Sequence, residues 1–344
     1  VSTTTPSRTA AADDSGDGTT APAQAPPPAP DRTGVVSIWV IIGLAVLLLV
    51  TQGWGRWILS SEEFSPVTIM GPDEYPTWRE VILRVTEALS IVEMSLLIYF
   101  TFIKSWRATG RFGLDAKITT GLLLGSFTDG ILNTQEYLFA WNQHSINMGS
   151  WARFVPLNDP EHASRYAEAL IWGIPQYTYY CITVAMVACA VIQRRRAINP
   201  ALSNAKCYMT VFAGAFVFDF ILENFLIRVE HSYAYAQTPA SLTLWAGTHY
   251  QFPIYESVLV ASLGVAFTAL RLSAIDHPKG LSFPERGLHR LPARLQGPAS
   301  WLSVIGFCFV CLLFIYHVPF QILGLIGDSN TLDVLPSYML PNDL

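Results

Sequence analysis

Seven stretches of this 344-residue chain stay apolar for long enough to cross a bilayer: residues 35 to 59, 79 to 103, 117 to 141, 169 to 193, 205 to 229, 241 to 270 and 299 to 323. A helix rises about 1.5 Å per residue, so roughly 20 such residues match a hydrocarbon core of about 30 Å. Inside that core each backbone N–H and C=O must find its partner within the segment, which makes a helix the expected form of each run. The expected fold is therefore all-α, a polytopic membrane bundle of about seven transmembrane helices over residues 35 to 323. A mean hydropathy of +0.35 and a charged fraction of only 14% agree with lipid as the main solvent.

Residues 1 to 34 hold Ala, Pro, Thr, Ser, Gly and Asp with almost no bulky apolar side chain, and are expected to form a disordered tail. The first apolar run begins at Val35 and is longer than a signal-peptide core, so it is expected to remain in the membrane. Basic residues set the orientation. Lys104, Arg107, Arg111 and Lys117 separate spans two and three, Arg194, Arg195, Arg196 and Lys206 separate four and five, and Arg271, Lys279, Arg286, Arg290 and Arg294 separate six and seven. Those loops are expected in the cytoplasm, with the N terminus inside and residues 324 to 344 as a short extracytoplasmic tail. Arginine outnumbers lysine 17 to 4, the bias of a GC-rich genome, so the expected site is a bacterial cytoplasmic membrane. With a net charge of -5 and basic residues confined to short loops, nucleic acid is not an expected partner; the lipid bilayer is, and oligomeric state stays open.

An ionisable residue at the centre of a spanning helix costs roughly 2.5 to 3.5 kcal/mol on insertion scales, so each one needs a reason. In span two, Glu80, Arg84 and Glu87 fall on one helical face, as either a structural ion cluster or part of a ligand site through Arg84 and Glu87. Glu93 lies elsewhere on that helix, as a hydrogen-bonded core acid. In span three, Asp129, Asn133 and Glu136 form a similar stripe beside Gly125 and Gly130. Span five offers Asp219 and Glu223, with Arg228 on the opposite side reaching for the interface. Span six offers His249, Pro253 and Glu256 on one face, with Tyr250 and Gln251 alongside. Given the alternating helix directions, one pocket in the outer half collects Asp129, Glu136, Asp219, Glu223, His249 and Glu256. Trp172, Tyr177, Tyr179, Trp245, Tyr250, Phe252 and Tyr255 are expected to line it. Asp129-Gly-Ile-Leu-Asn133 and Asp219-Phe-Ile-Leu-Glu223 also suggest an internal duplication.

Several machineries have no residues here. Span seven lacks a lysine for a retinal Schiff base, and neither HExxH, histidine boxes nor a Gly-rich phosphate loop occurs. Asp219 and Glu223 form a DxxxE, yet no basic residue lies at that depth to hold a diphosphate. The CxxC at Cys308 and Cys311 has no second metal-spaced pair. Neither a metal nor a cofactor is expected. The residues leave three readings: an acid/base enzyme, a proton-coupled exporter of an apolar product, and a membrane terpene cyclase.

GSFTDGILNTQEYLFAWNQHS, AGAFVFDFILENFLIRVEHSYAY and HYQFPIYESV, with the length and the layout of spans, resemble the spiroketal cyclase family of the avermectin pathway. The resemblance implies an enzyme of macrolide antibiotic biosynthesis. Its substrate would be an apolar macrolide polyketide, a dihydroxy-ketone that folds into a 6,6-spiroketal with loss of water; the avermectin member is also associated with dehydratase (lyase) action on the ring. Such chemistry needs a protonated carboxyl to expel water and an ionised one to take a hydroxyl proton, which the buried acids supply.

Overall fold

The structure, a computed structural model, describes residues 34–69, 71–159 and 165–341. The expected N-terminal tail, apart from Gly34, lies outside the described residues. Nine α-helices run in order among them: α1 Val36–Leu59, α2 Thr77–Ile98, α3 Ser105–Thr109, α4 Leu114–Gly125, α5 Gly173–Ile198, α6 Asn204–Phe225, α7 Ile254–Ile275, α8 Ala293–Cys311 and α9 Val318–Leu325. π turns carry α2 into α3, extend α6 to Glu230 and join α8 to α9. Five of the resulting helical runs are long and apolar enough to cross a membrane: Val36–Leu59, Gly173–Ile198, Asn204–Glu230, Ile254–Ile275 and Ala293–Leu325. These are compatible with a multi-pass membrane protein.

The remaining two expected spans differ for separate reasons. α2 is a helix of suitable length, but Arg79, Glu80, Arg84, Glu87 and Glu93 keep it out of the apolar set. Glu93 is exposed on it, not a core acid. The third span, expected over residues 117 to 141, stops as an α-helix at Gly125 and tightens into a 3-10 helix over Ser126–Asn133. The hydroxyls of Ser126 and Thr128 bond back to the carbonyls of Leu123 and Gly125, and the Trp151 indole donates to the Phe127 carbonyl at 2.8 Å. Such competition for helix carbonyls favours a tighter winding. The sixth span was expected from residue 241, yet α7 begins only after Pro253. Before it, Trp245 (φ 55°) and Gly247 (φ 79°) turn the chain through left-handed conformations that no helix accepts.

The fold is mostly helical, and three antiparallel two-stranded ribbons correct the all-α expectation: β1 Phe139–Trp141 with β2 Tyr233–Tyr235, β3 Gln237–Thr238 with β6 Ser329–Asn330, and β4 Thr243–Leu244 with β5 Phe252–Pro253. Residues after α9 are folded in with them, and Leu335, Tyr338 and Met339 are buried. The suggested duplication is not structural, because Asp129–Asn133 is 3-10 helix whereas Asp219–Glu223 is α-helix.

Ion pairs gather the three basic loops at one end of the bundle: Lys117 to Glu285 at 2.7 Å, Arg271 to Asp115 at 2.7 Å and Arg196 to Asp276 at 2.9 Å. The ribbons sit at the other end. α1 and α8 cross in close contact, since a Cβ on Gly43 would lie 2.0 Å from the Leu302 carbonyl oxygen and one on Gly306 2.7 Å from that of Trp39. Lipid tails compete with side chains for apolar surface, so small residues that let backbones touch are a principal source of association between such helices.

Candidate active site

β1 and β2 pair in a register that sets Phe139 opposite Tyr235 and Trp141 opposite Tyr233. Side chains two apart on a strand share a face. All four rings therefore look the same way, and with Gly173, Gln176, Tyr177, Tyr180, Val260 and Tyr316 they line a cavity of about 40 Å³. Three carboxyl groups complete its wall. α6 turns Asp219 and Glu223 to one face at i and i+4, and α7 presents Glu256 from its first turn, where free helix N–H groups favour an acid.

One oxygen from each of Asp219, Glu223 and Glu256 lies within 4.8 Å of the others, and all three residues are buried. Glu223 accepts hydrogen bonds from the Tyr233 and Tyr235 phenols, the latter at 3.0 Å. Glu256 accepts from Tyr316 at 3.3 Å. The Asp219 and Glu256 carboxyls are in hydrogen-bonding contact with each other, and the Ser257 hydroxyl also reaches Asp219. A proton on one of them is what makes that contact attractive. No Arg, Lys or His lines the cavity among the described residues. Outside the helices, burial first and then the Glu223 charge push the Tyr235 phenol well above its usual range, so it stays a donor.

A second acid pair lies behind Tyr177. Its phenol donates to Asp129 Oδ1 at 2.5 Å, and its ring packs 5.8 Å from that of Tyr316. Asp129 contacts the Glu168 carboxyl, which also accepts from the Tyr166 phenol, and lies 3.6 Å from His317 Nε2. Burial, followed by the Asp129 charge, pushes Glu168 well above the usual carboxyl range, so the proton of this pair rests on Glu168. His317 is fixed through Nδ1 by Thr128 at 2.9 Å and the Leu312 carbonyl at 3.1 Å.

Of the six acid/base candidates, Asp219, Glu223 and Glu256 meet in the cavity and Asp129 stands one tyrosine away. Glu136 and His249 do not join them. Glu136 is exposed beyond the 3-10 helix, so the helical spacing that placed it beside Asp129 does not apply. His249 lies in the irregular segment before α7, its ring 5.2 Å from that of His231. Among the expected lining residues only Tyr177 does so directly. Trp172 packs behind Trp141 and Tyr233, Phe252 packs behind Tyr235, and Tyr255 faces Phe320. Tyr179 bonds the Trp172 carbonyl at 3.3 Å. Trp245 and Tyr250 flank Arg228. Asn133 folds inward, accepting from the Leu138 and Phe139 amides at 2.9 and 3.0 Å.

Arg84 and Glu87 bond at 2.5 Å, far from the cavity residues in their contacts. Arg84 also donates to the His144 carbonyl at 2.6 Å, and Glu87 accepts from the Ile146 amide at 2.8 Å. They tie α2 to the loop after β1. Glu168, Tyr180, Tyr233, Tyr235, Tyr316 and His317 were missed. A period-two reading of Tyr233-Ala-Tyr235 would have found one pair; Glu168 and His317 carry no local signal.

The fold and site thus define a helical bundle with membrane-length helices enclosing a tyrosine-lined carboxyl cavity. The chain belongs to the AveC-like spirocyclase family, whose family model matches residues 109–339, a span that takes in both acid pairs and leaves out α1 and α2. Membership makes it an enzyme of cyclisation. Searches of curated proteins and of solved structures each returned no match.

Proposed function

We propose that the protein closes a 6,6-spiroketal on a dihydroxy-ketone polyketide of macrolide biosynthesis, with the carboxyls of Asp219, Glu223 and Glu256 as acid and base. The observation that carries this reading is the carboxyl–carboxyl contact between Asp219 and Glu256 inside a tyrosine-lined cavity that no cation lines among the described residues. Carboxyl groups packed this closely, with no cation among them, hold protons between them rather than ionise together. One protonated and one ionised member is the pair that spiroketal closure requires.

One substrate hydroxyl adds to the ketone carbon, giving a hemiketal. A carboxyl proton then goes to the hemiketal hydroxyl, its C–O bond breaks, and water leaves an oxocarbenium ion. The second hydroxyl attacks that carbon and gives its proton to a carboxylate, so the acid is regenerated and one water is lost overall. Tyr233, Tyr235 and Tyr316 hold the carboxyls in place, and the aromatic wall sets the face from which the second hydroxyl attacks. A second loss of water, from the finished ring, needs another acid/base pair, and Asp129 with Glu168 supplies one. The enzyme works in a bacterial cytoplasmic membrane, where an apolar substrate partitions into the same bilayer.

The test uses purified protein in detergent with a dihydroxy-ketone polyketide, following loss of one water and then two by mass spectrometry. Turnover without any proton gradient distinguishes an enzyme from an exporter. Among Asp219→Asn, Glu223→Gln and Glu256→Gln, at least one is expected to lose about 10² or more in rate while eluting normally, the scale of a positioned acid or base. Wild-type rates in all three would make the cluster structural and remove the proposal.

A further inference from the structure

At the ribbon end of the bundle the charges of Arg79 and Arg228 both reach His249, and no carboxylate pairs with either arginine among the described residues. Arg228 stands two residues from the end of the apolar run Asn204–Glu230, with Cζ 3.6 Å from the Trp245 ring centroid and 4.5 Å from that of Tyr250. Arg79, in the first turn of α2, donates to the Arg228 carbonyl at 3.3 Å and lies 3.0 Å from His231 Nδ1. His249 packs against both His231 and Tyr250, with ring centroids at 5.2 and 4.8 Å. Among the described residues neither arginine has an ion pair, and Arg79 Nε and Arg228 Nη2 are buried without an acceptor.

The acids nearby are occupied elsewhere. Glu230 accepts from Thr86 and Ser232, and Asp73 accepts from the Ser337 amide. The potential at the imidazoles is accordingly positive. Burial first, then Arg79 and Arg228, hold His249 below its usual range, and burial, Arg79 and His249 bring His231 down to about 4.

An arginine at a helix end commonly reaches the interface and stacks on an aromatic ring, which accounts for Arg228 alone. It does not account for a second guanidinium held at the same imidazole, because like charges brought together without a counter-ion repel. The missing partner is an anion. We propose that Arg79, Arg228 and His249 form a phosphate-binding site at the membrane surface, walled by Trp245 and Tyr250. Arg228 Nε already donates to Asn224 Oδ1 at 3.2 Å, which leaves Arg228 Nη2 and Arg79 Nε as the charged donors for phosphate oxygens, and the depth of the site matches the level of lipid headgroups. Trp245, 46% exposed and held over Arg228 by its left-handed backbone, forms the open side. The inference is independent of the spirocyclase chemistry.

The test uses the full chain, purified in a phosphate-free maltoside detergent, with phosphatidylglycerol, sn-glycerol 1-phosphate and inorganic phosphate as separate probes. Retained lipid is counted by native mass spectrometry and the soluble anions are titrated by calorimetry. Binding is expected to weaken about tenfold or more in Arg79→Gln and in Arg228→Gln, the loss of one charge-assisted contact. Trp245→Ala, a change at a half-exposed site, gives a second reading should either arginine variant fold poorly, and it too is expected to weaken binding. Retention of phosphatidylglycerol alone identifies a lipid headgroup as the source; binding of glycerol phosphate or inorganic phosphate without lipid identifies a soluble anion. No binding of any probe, or undiminished binding in all three variants, overturns the proposal.

Discussion

Lys117→Met should destabilise the protein at neutral pH and hardly at all in acid. The Lys117 ammonium lies 2.7 Å from Glu285 Oε1, with side chains 15% and 3% exposed. Glu285 also accepts from the Ser282 amide at 3.0 Å, the Ser282 hydroxyl at 2.6 Å and the Ser300 hydroxyl at 2.5 Å. Removing one partner of a buried pair costs roughly 3–5 kcal/mol. Three donors remain on the carboxylate, so the low end applies, about 3 kcal/mol, or roughly 4–5 °C in melting temperature for a chain of this length. Burial pushes the Glu285 carboxyl up, but Lys117 and then the serine hydroxyls outweigh it, and the net position lies below the usual range. A carboxyl lowered by folding stabilises the native state above its unfolded value, near ~4.3, and that contribution is lost as pH falls through the folded value. In the variant Glu285 loses its cation and takes up a proton more readily, so the gap to wild type should begin to narrow near about pH 4 and close only as wild-type Glu285 itself protonates below that. Melts followed by helical circular dichroism in detergent at about pH 7 and at about pH 3 measure both gaps. Equal melting at neutral pH, or a gap of the same size in acid, would refute the reasoning. Adding Glu285→Gln to Lys117→Met should restore most of the loss.

Asn133→Ala removes two acceptor contacts to the Leu138 and Phe139 amides and a donor to the Phe139 carbonyl at 2.8 Å, and should cost about 2–3 kcal/mol, read as a lower melting temperature. Gly43→Val places a side chain where a Cβ already lies 2.0 Å from a backbone oxygen of α8, so the variant should yield little monodisperse protein on size exclusion. A reporter active only outside the cytoplasm, fused after Leu344, should be active, because positive loops stay inside; activity of a cytoplasm-only reporter there instead would invert the orientation.

What the sequence made legible follows from which periodicities it holds. Asp219 and Glu223 sit in an uninterrupted apolar helix, so i and i+4 placed them on one face, as the structure has them. Asp129 and Glu136 were read with the same spacing through a segment whose hydroxyls and glycines unwind it, and the spacing lost its meaning there. His249 and Trp245 sit in an apolar run too, but Gly247 and Pro253 break it, and composition alone does not reveal where a helix begins. Glu168 and His317 lie 149 residues apart in the chain and meet only through Asp129, a contact that no local pattern encodes.

A cavity of about 40 Å³ has room for water but not for a polyketide segment, since ligand pockets commonly run to roughly 300–1,000 Å³. Turnover therefore requires a wall to part. Toward the ribbon, Phe139, Trp141 and Tyr233 are backed by further rings, including Trp172. Toward α6 the wall is thinner: Tyr180 stacks on Phe218 with centroids 6.2 Å apart, Phe218 is 54% exposed, and a Cβ on Gly214 one turn away would touch nothing. Moving Tyr180 aside would open the carboxyls of Asp219 and Glu256 sideways to the bilayer, the route an apolar substrate would take. Tyr180→Ala removes that wall and should raise kcat/KM for spiroketal formation, whereas Phe218→Trp thickens it and should lower kcat/KM about tenfold or more, as expected where a gate controls turnover. Neither change touches Asp219, Glu223 or Glu256, so an effect on the chemistry itself would appear in kcat at saturating substrate instead. If both variants, eluting normally, turn over as the wild type does, the substrate reaches the carboxyls by another wall.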